Sequence, residues 1–161
     1  MTIEDIKALP VAKLAAGDCA LFLWITMPML CEAWEVMEAW GFSYKTAAFV
    51  WIELNQKADS MYWGMGHWTR ANAELCLLAT RGTPRRQAKN IHQVILSRIE
   101  EHSKKPEEAR RRIEALMGDV PRVELFARRP APGWDVWGNE REKHRPKSKR
   151  FTANISFRKR I

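Results

Sequence analysis

The fold is decided by two stretches, ALFLWIT at residues 20–26 and KTAAFVWI at residues 45–52, with a helical segment between them. Each stretch is a short apolar run rich in branched and aromatic side chains, which is typical of a buried strand. Between them, Pro28 is placed to begin a helix and Gly41 to end it. The sequence therefore predicts a strand–helix–strand unit.

The same pattern returns in the second half of the chain. Strands are predicted at residues 94–96 and 123–127, separated by a helix that begins at Pro106, ends at Gly118 and exposes the arginines of residues 110–112. ELCLLAT at residues 74–80 predicts a further strand. Strands that alternate with helices predict an α/β fold, a mainly parallel sheet with helices on both faces. Ligands bind such sheets beyond the carboxyl ends of the strands.

Length and composition exclude several classes of protein. The 161 residues suit one globular domain, and no apolar run approaches the roughly 20 residues of a membrane helix. The N-terminus lacks the basic and then apolar layout of a secretory signal. The three cysteines form no CxxC pair, and the four histidines do not fall at metal-ligand spacing. We therefore expect a cytoplasmic protein with reduced cysteines and no metal.

The charge is distributed unevenly along the chain. Residues 1–80 carry five Lys and Arg against nine Asp and Glu, whereas residues 81–161 carry 22 against 10. Residues 141–161 hold nine basic residues and one acidic residue, and are predicted to form a basic C-terminal extension. Such a block favours a nucleic-acid partner, the alternative being a solvated tail without a partner.

Eight tryptophans are several times the ordinary number for this length. Four are predicted to pack in the core, two from a helix and two from strands: Trp34, Trp40, Trp24 and Trp51. The other four lie in glycine-containing loops, where they either stack on nucleobases or pack against the core: Trp63, Trp68, Trp134 and Trp137.

Five blocks, in order, resemble a known family. They are LFLWIT (21–26), EAWGFSYKTAAFVWIELN (38–55), GHWTRANAELCLLATRG (66–82), SKKPEE (103–108) and ELFARRPAPGWDVWGNE (124–140). Together they resemble the S-adenosylmethionine-dependent adenine-amino methyltransferases. The resemblance implies a Rossmann-like methyltransferase domain with permuted motif order over residues 1–140. It also implies S-adenosylmethionine as cofactor and DNA or RNA as substrate, with DNA favoured, and leaves a homodimer or heterodimer open.

The resemblance also assigns site residues. Lys105 is similar to the lysine that meets the carboxylate of the cofactor, and its place before a helix N-terminus suits an anion. A second stretch is similar to the one that, in the family, lines the methionine and ribose parts of the cofactor. It contains Glu124, Arg128, Asn139 and Glu140. The substrate-side loop of the family is similar to the segment that contains His67, Trp68 and Glu74.

The chain departs from the family at the catalytic motif. Asp-Pro-Pro-Trp normally precedes the segment that residues 1–10 resemble, and it does not occur in this sequence. Its oxygens accept the protons of the adenine amine, a poor nucleophile, and its Trp stacks on the base. We therefore assign no catalytic residue and expect the N-terminal strand that leads into the motif to be missing. Two explanations stay open, an incomplete enzyme or a non-catalytic subunit that binds nucleic acid or a partner.

Overall fold

Both predicted strand–helix–strand units form. The computed structural model describes residues 1–100, 104–127 and 130–137, and the backbone of residues 152–156. The helices are α1 (Ile3–Lys7), α2 (Val11–Leu14), α3 (Leu30–Ala39) and α4 (Glu107–Met117), with a 3₁₀ turn at Met27–Met29. The strands are β1 (Cys19–Ile25), β2 (Ser43–Leu54), β3 (Ala73–Arg81), β4 (Val94–Arg98), β5 (Arg122–Leu125), β6 (Asp135–Trp137) and β7 (Thr152–Ser156).

The strands form one mixed sheet in the order β4-β2-β3-β1-β7-β5-β6. β4 pairs in parallel with β2, β7 with β1 and β5, and β6 with β5. β3 is antiparallel to both of its neighbours, so the expected parallel pairing is wrong at the centre of the sheet. The physical reason is the connection from β2 to β3, residues 55–72, which contains no helix and returns the chain directly. β7 comes from the segment predicted as a basic extension.

Helices cover both faces of this sheet. On one face, which we call the α3 face, α1 and α3 pack on alternate residues of β1, namely Leu21, Leu23 and Ile25. On the other, the α4 face, α4 packs over Phe22 and Trp24 of the same strand. All seven residues of β1 are buried because both of its sides are covered. This explains why its sequence is continuously apolar rather than alternating.

α3 corrects one prediction about the tryptophans. Its buried side contains Ala33, Val36 and Met37, and Trp40 follows at helical spacing with no exposed surface. Trp34 lies about 100° away from Ala33 around the helix and is 39% exposed, so the prediction that it packs in the core is wrong. Its ring instead contacts Tyr44 at a centroid distance of 4.4 Å.

The ends of the helices follow local sequence signals. Thr2 and Asp5 form the capping box of α1, each side chain accepting a hydrogen bond from the backbone N–H of the other. α4 begins after Pro106 and ends at Gly118, whose φ of +73° favours glycine. None of the helices in the described ranges is long and apolar enough to span a membrane.

Candidate functional site

Buried charges collect where β1 and β2 end, on the α4 face. Trp24 lies near the end of β1, and Trp51 near the end of β2. Glu74 is the second residue of β3 and pairs with Trp51. Because β3 is antiparallel, its beginning lies beside the carboxyl ends of β1 and β2. The unpredicted direction of β3 therefore brings Glu74 to the ligand-binding edge of the sheet.

Lys105 and Glu74 form the centre of this site. The ammonium of Lys105 makes an ion pair with the Glu74 carboxylate, and the two side chains are 13% and 9% exposed. The Lys105 Nζ lies 5.5 Å from the ring centroid of Trp24 and 5.8 Å from that of Trp51. The two rings meet edge to face, with centroids 6.4 Å apart. The lysine charge is thus largely removed from water and faces one carboxylate and two aromatic rings.

The position of α4 explains why Lys105 points into this site. Lys105 precedes Pro106, the N-cap of α4. The helix is fixed on the sheet by the burial of Ala109 and Ile113 in the same apolar cluster as Trp24. The first amides of α4 add positive potential at this end, since they have no partners within the helix. An anion is therefore favoured beside Lys105.

An unused hydroxyl lies next to Trp51. The indole Nε1 of Trp51 donates a hydrogen bond to the backbone oxygen of Ser97 at 3.3 Å. The Oγ of Ser97 is buried, and among the described residues it has no hydrogen-bond partner. Buried hydroxyls are nearly always paired in folded proteins, so the Ser97 hydroxyl is an exception beside Trp51.

Glu124 on β5 is held by an arginine from α4. Arg110 donates from Nε to Oε2 of Glu124 at 2.9 Å and from Nη2 to Oε1 at 3.1 Å. Its Nη1 donates to Glu107 at 2.8 Å. Burial raises the pKa of the Glu124 carboxyl, and the Arg110 guanidinium partly offsets that rise. The two hydrogen bonds from Arg110 therefore fix the direction of the carboxylate.

The arginines of α4 correct another prediction. Arg111 is exposed, as expected, but Arg110 and Arg112 are only 21% and 20% exposed. Arg112 donates to the backbone oxygens of His92 and Val94, both at 2.7 Å. Three successive helical residues cannot share one face, because each turns by about 100°. Two of the three arginines therefore point toward the sheet and the β4 edge.

The loop between β2 and β3 exposes several large apolar side chains to solvent. Its backbone is tied together, since the N–H of Gly64 donates to the oxygen of Ala71 at 2.7 Å. Trp68 is fully exposed, Met65 is 86% exposed, and Trp63 is 57% exposed. Among the described residues, neither His67 nor Trp68 contacts the Lys105–Glu74 pair by a hydrogen bond or ion pair.

The other two loop tryptophans, Trp134 and Trp137, were predicted either to stack on nucleobases or to pack against the core. The structure buries one and leaves the other partly exposed. Trp134 packs on the core at 7% exposure, and its Nε1 donates to Glu114 at 2.6 Å. Trp137 is 40% exposed and contacts Phe126 edge to face.

The predicted site residues are thus only partly brought together. Lys105 and Glu74 meet, although the resemblance assigns one to the cofactor and the other to the substrate. Glu124 lies on the same face of the sheet, because its neighbours Val123 and Leu125 point to the α3 face. The remaining cofactor residues, which are Arg128, Asn139 and Glu140, lie outside the described residues. Within the described ranges no group of His, Cys, Asp and Glu is arranged to hold a metal ion.

Sequence reasoning missed the part that four residues play at or beside the site. Trp24 and Trp51 were predicted to pack in the core, and they are only 2% and 3% exposed. That prediction omits the contact of both rings with Lys105. Arg110 was assigned to the solvent, although a lone acidic residue on a neighbouring strand signals a need for a basic partner. Ser97 carries no signal in the sequence.

The protein has an α/β fold with a mixed sheet, and charged side chains collect at the carboxyl ends of β1 and β2. Folds of this class bind ligands at that edge of the sheet. The family model that matches this chain is MT-A70, over residues 1–140. The chain belongs to the MT-A70 family, as the ordered blocks of sequence predict.

Curated relatives extend the comparison. A type II methyltransferase, M.MunI of Mycoplasma sp, is 35% identical over 143 residues, covering 87% of this chain and 58% of the relative. The N(6)-adenosine-methyltransferase MT-A70-like protein of Arabidopsis thaliana is 30% identical over 143 residues, covering 87% of this chain and 21% of the relative. The human N(6)-adenosine-methyltransferase catalytic subunit METTL3 is 28% identical over 144 residues, with 87% and 24% covered. The chain therefore spans less than two thirds of each of these relatives.

Proposed function

We propose that this chain carries the cofactor-binding and nucleic-acid-facing parts of an enzyme that methylates the exocyclic amino group of adenine in DNA or RNA. Membership of the MT-A70 family and the activities for which the relatives are named support the reaction class. The observation that carries the proposal is the buried Lys105–Glu74 pair beneath Trp24 and Trp51. A buried ion pair contributes little net stability, so a binding role accounts for it better than packing does.

We infer a Rossmann-like methyltransferase domain over residues 1–140, to whose sheet the basic segment 141–161 contributes β7. Helices on opposite faces of the sheet and a charged cluster at the strand ends support this assignment. The order along the chain also supports it, since His67 and Trp68 of the proposed substrate-side loop precede the cofactor residues Lys105 and Glu124. That order agrees with the permuted arrangement that the family resemblance implies.

The charges at the site fit the amino-acid end of S-adenosylmethionine, which carries a carboxylate and an ammonium group. Lys105 has three N–H donors and gives one to Glu74, so donors remain for a carboxylate. Glu74 has acceptor capacity left for an ammonium group. Lys105 would therefore bind the carboxylate of the cofactor, and Glu74 would bind its ammonium group.

Glu124 would accept hydrogen bonds from the ribose hydroxyls. Each of its carboxylate oxygens keeps acceptor capacity after binding Arg110, which fixes the direction of the group. Arg128, Asn139 and Glu140 are proposed to line the same part of the cofactor, on the strength of the family resemblance.

The loop between β2 and β3 would face the nucleic acid. The fully exposed indole of Trp68 offers a surface on which a nucleobase stacks. His67 precedes it and lies at the surface as well, so it can donate to a base edge or a phosphate. We favour DNA over RNA as the polymer and propose both residues as substrate contacts.

Lys105, Glu74 and Glu124 would hold S-adenosylmethionine, which would supply an activated methyl group for the adenine N6 and leave as S-adenosylhomocysteine. The residues of this chain bind and orient the donor, and the burial of Lys105 and Glu74 excludes water from its charged end. The adenine amino group also loses a proton. We assign no residue of this chain as the acceptor of that proton.

Calorimetric titration of the 161-residue chain with S-adenosylmethionine tests the proposal. Lys105→Gln removes the buried charge and is expected to weaken binding by about tenfold or more, or about 1.4 kcal/mol. Lys104→Gln is the matched control, because this neighbouring lysine pairs with Glu100 at the surface. Its variant should bind within about twofold of the unchanged chain, since exposed ion pairs contribute little.

Two results would contradict the proposal. One is the absence of binding by the unchanged, folded chain. The other is equal weakening by the variants at Lys104 and Lys105, because that result would show a general effect of charge rather than a site.

A further inference from the structure

Three basic side chains differ from the other basic residues that follow β3. In the described part of the chain from residue 82 to residue 137, every other Lys and Arg makes an ion pair with Asp or Glu. These paired residues are Arg98, Lys104, Lys105, Arg110, Arg111, Arg112 and Arg122. Arg85, Arg86 and Lys89 are exposed and have no ion-pair partner among the described residues.

The segment that carries these three residues, 83–89, is here named the basic loop. The backbone N–H of Thr83 donates to the carboxylate of Asp18 at 2.8 Å. Beyond the arginines, the backbone N–H of Gln87 donates to the oxygen of Leu116 at the end of α4, at 2.7 Å. Arg85 and Arg86 lie between these two anchors. Their backbone is therefore held in place before any ligand binds, which lowers the entropic cost of binding.

The glycines on either side allow this anchoring. Gly82 has φ of +63°, and a side chain there would collide with the Asp18 carboxylate and the backbone of Gly17. A side chain at Gly118 would come within 2.6 Å of Gln87. The loop is thus fitted closely to the body of the domain, while its arginines project from it.

We propose that Arg85 and Arg86, assisted by Lys89, bind backbone phosphates of the nucleic acid. Guanidinium groups match phosphate oxygens in geometry and charge, and these two are not neutralised by a carboxylate. The arginines of α4 are less suited, because each already binds Glu107, Glu108 or Glu124. The proposal deepens the proposed function and rests on it.

The basic loop contacts the polymer far from the candidate site. Glu74 and Arg81 lie at opposite ends of β3, seven residues apart, and the loop follows Arg81. At about 3.3 Å per strand residue, the separation is roughly 23 Å. Successive nucleotides of one strand are about 3.4 Å apart, so the loop would contact phosphates about seven nucleotides from the target base.

The salt dependence of binding tests the proposal. The probe is a fluorescent DNA duplex of about 20 base pairs, titrated with the chain at several salt concentrations, with an RNA of the same sequence as a second probe. Arg85→Gln/Arg86→Gln is expected to reduce the slope of log K against log salt by about 1.8, or about 0.9 for each lost phosphate contact. Lys13→Gln/Lys45→Gln is the control, since it removes the same charge from exposed lysines in the acidic half.

Each outcome either supports or overturns the proposal. It is supported if the loop variant loses slope while the control variant and the thermal stability are unchanged. It is overturned if both variants lose slope equally, or if neither does. It is also overturned if the loop variant weakens binding to phosphatidylserine vesicles as much as binding to the duplex, because the loop would then be a general anion surface.

Calorimetry with S-adenosylmethionine separates this proposal from the proposed function. The loop variant should bind the methyl donor as tightly as the unchanged chain, because the loop lies at the opposite end of β3 from Glu74. A chain that binds nucleic acid through the loop but never binds the donor would refute the proposed function alone.

Discussion

In the part of the chain that the structure describes, both faces of the sheet are packed with similar apolar side chains, yet only the α4 face ends in buried charge. On the α3 face, Trp40 has no exposed surface and satisfies its N–H on the backbone oxygen of Ile6, while the ion pair of Lys7 with Glu35 stays near the surface. On the α4 face, the Lys105–Glu74 pair is almost fully buried. Removing charges from water costs several kcal/mol, so the buried pair on the α4 face is not explained by folding alone and fits the binding role proposed for it.

The largest effect is expected from a change on the α3 face. Trp40→Ala removes a completely buried indole and its hydrogen bond, and should lower the free energy of unfolding by about 4 kcal/mol. Urea denaturation measures the change, with Trp40→Phe as the milder control. The folded fraction should bind S-adenosylmethionine normally. Altered affinity in that fraction would mean that the two faces are not separate in function.

A smaller effect is expected from breaking the charge pair on the α4 face. Lys105→Met leaves the Glu74 carboxylate buried without its partner, which should cost about 3 kcal/mol of unfolding free energy. The double variant Lys105→Met/Glu74→Gln should recover most of that stability, because the second change removes the unpaired charge. Both variants should bind the methyl donor at least about tenfold more weakly than the unchanged chain. A double variant no more stable than the single one would show that the pair is not the reason for the loss.

The smallest effect concerns the pH dependence of stability. The pKa of Glu124 is raised by burial, so the folded state holds its proton more tightly than the unfolded state. Its contribution to stability is therefore present at acidic pH and falls as the pH rises through the raised pKa. Arg110→Gln removes the offsetting charge and should raise that pKa further, which makes the loss of stability above pH ~4 larger and extends it to higher pH.

Urea denaturation across that pH range measures this dependence. Arg110→Gln/Glu124→Gln is the control that should abolish the added slope, because it has no carboxyl to titrate at residue 124. An Arg110→Gln variant with the same pH dependence as the unchanged chain would show that the guanidinium does not act on Glu124.

The elements that could be predicted are those with strong local signals. β1 is a continuous apolar run, and α4 lies between Pro106 and Gly118. Each signal acts over a few residues, so it survives in any tertiary context. The resemblance of the ordered blocks likewise predicted the family, because motif order is written in the sequence.

The direction of β3 could not be predicted in this way. Its apolar run is the same for a parallel or an antiparallel strand, and only the helix-free connection from β2 distinguishes the two. The partners of Lys105 and Glu124 were also out of reach, because Glu74 is 31 residues from Lys105 and Arg110 is 14 residues from Glu124. Contacts over such separations depend on how the elements pack.

The sequence by itself determined the positions of β1 to β5, α3 and α4, where the positive charge lies and to which family the chain belongs. Only the tertiary structure decided which charges meet. In the sheet, the end of β1 lies beside the beginning of β3. The packing of α4 brings Lys105, just before its N-cap, into contact with Glu74 of β3. Local preferences act between neighbours in the chain, whereas a buried ion pair forms only where packing has already excluded water from both of its partners.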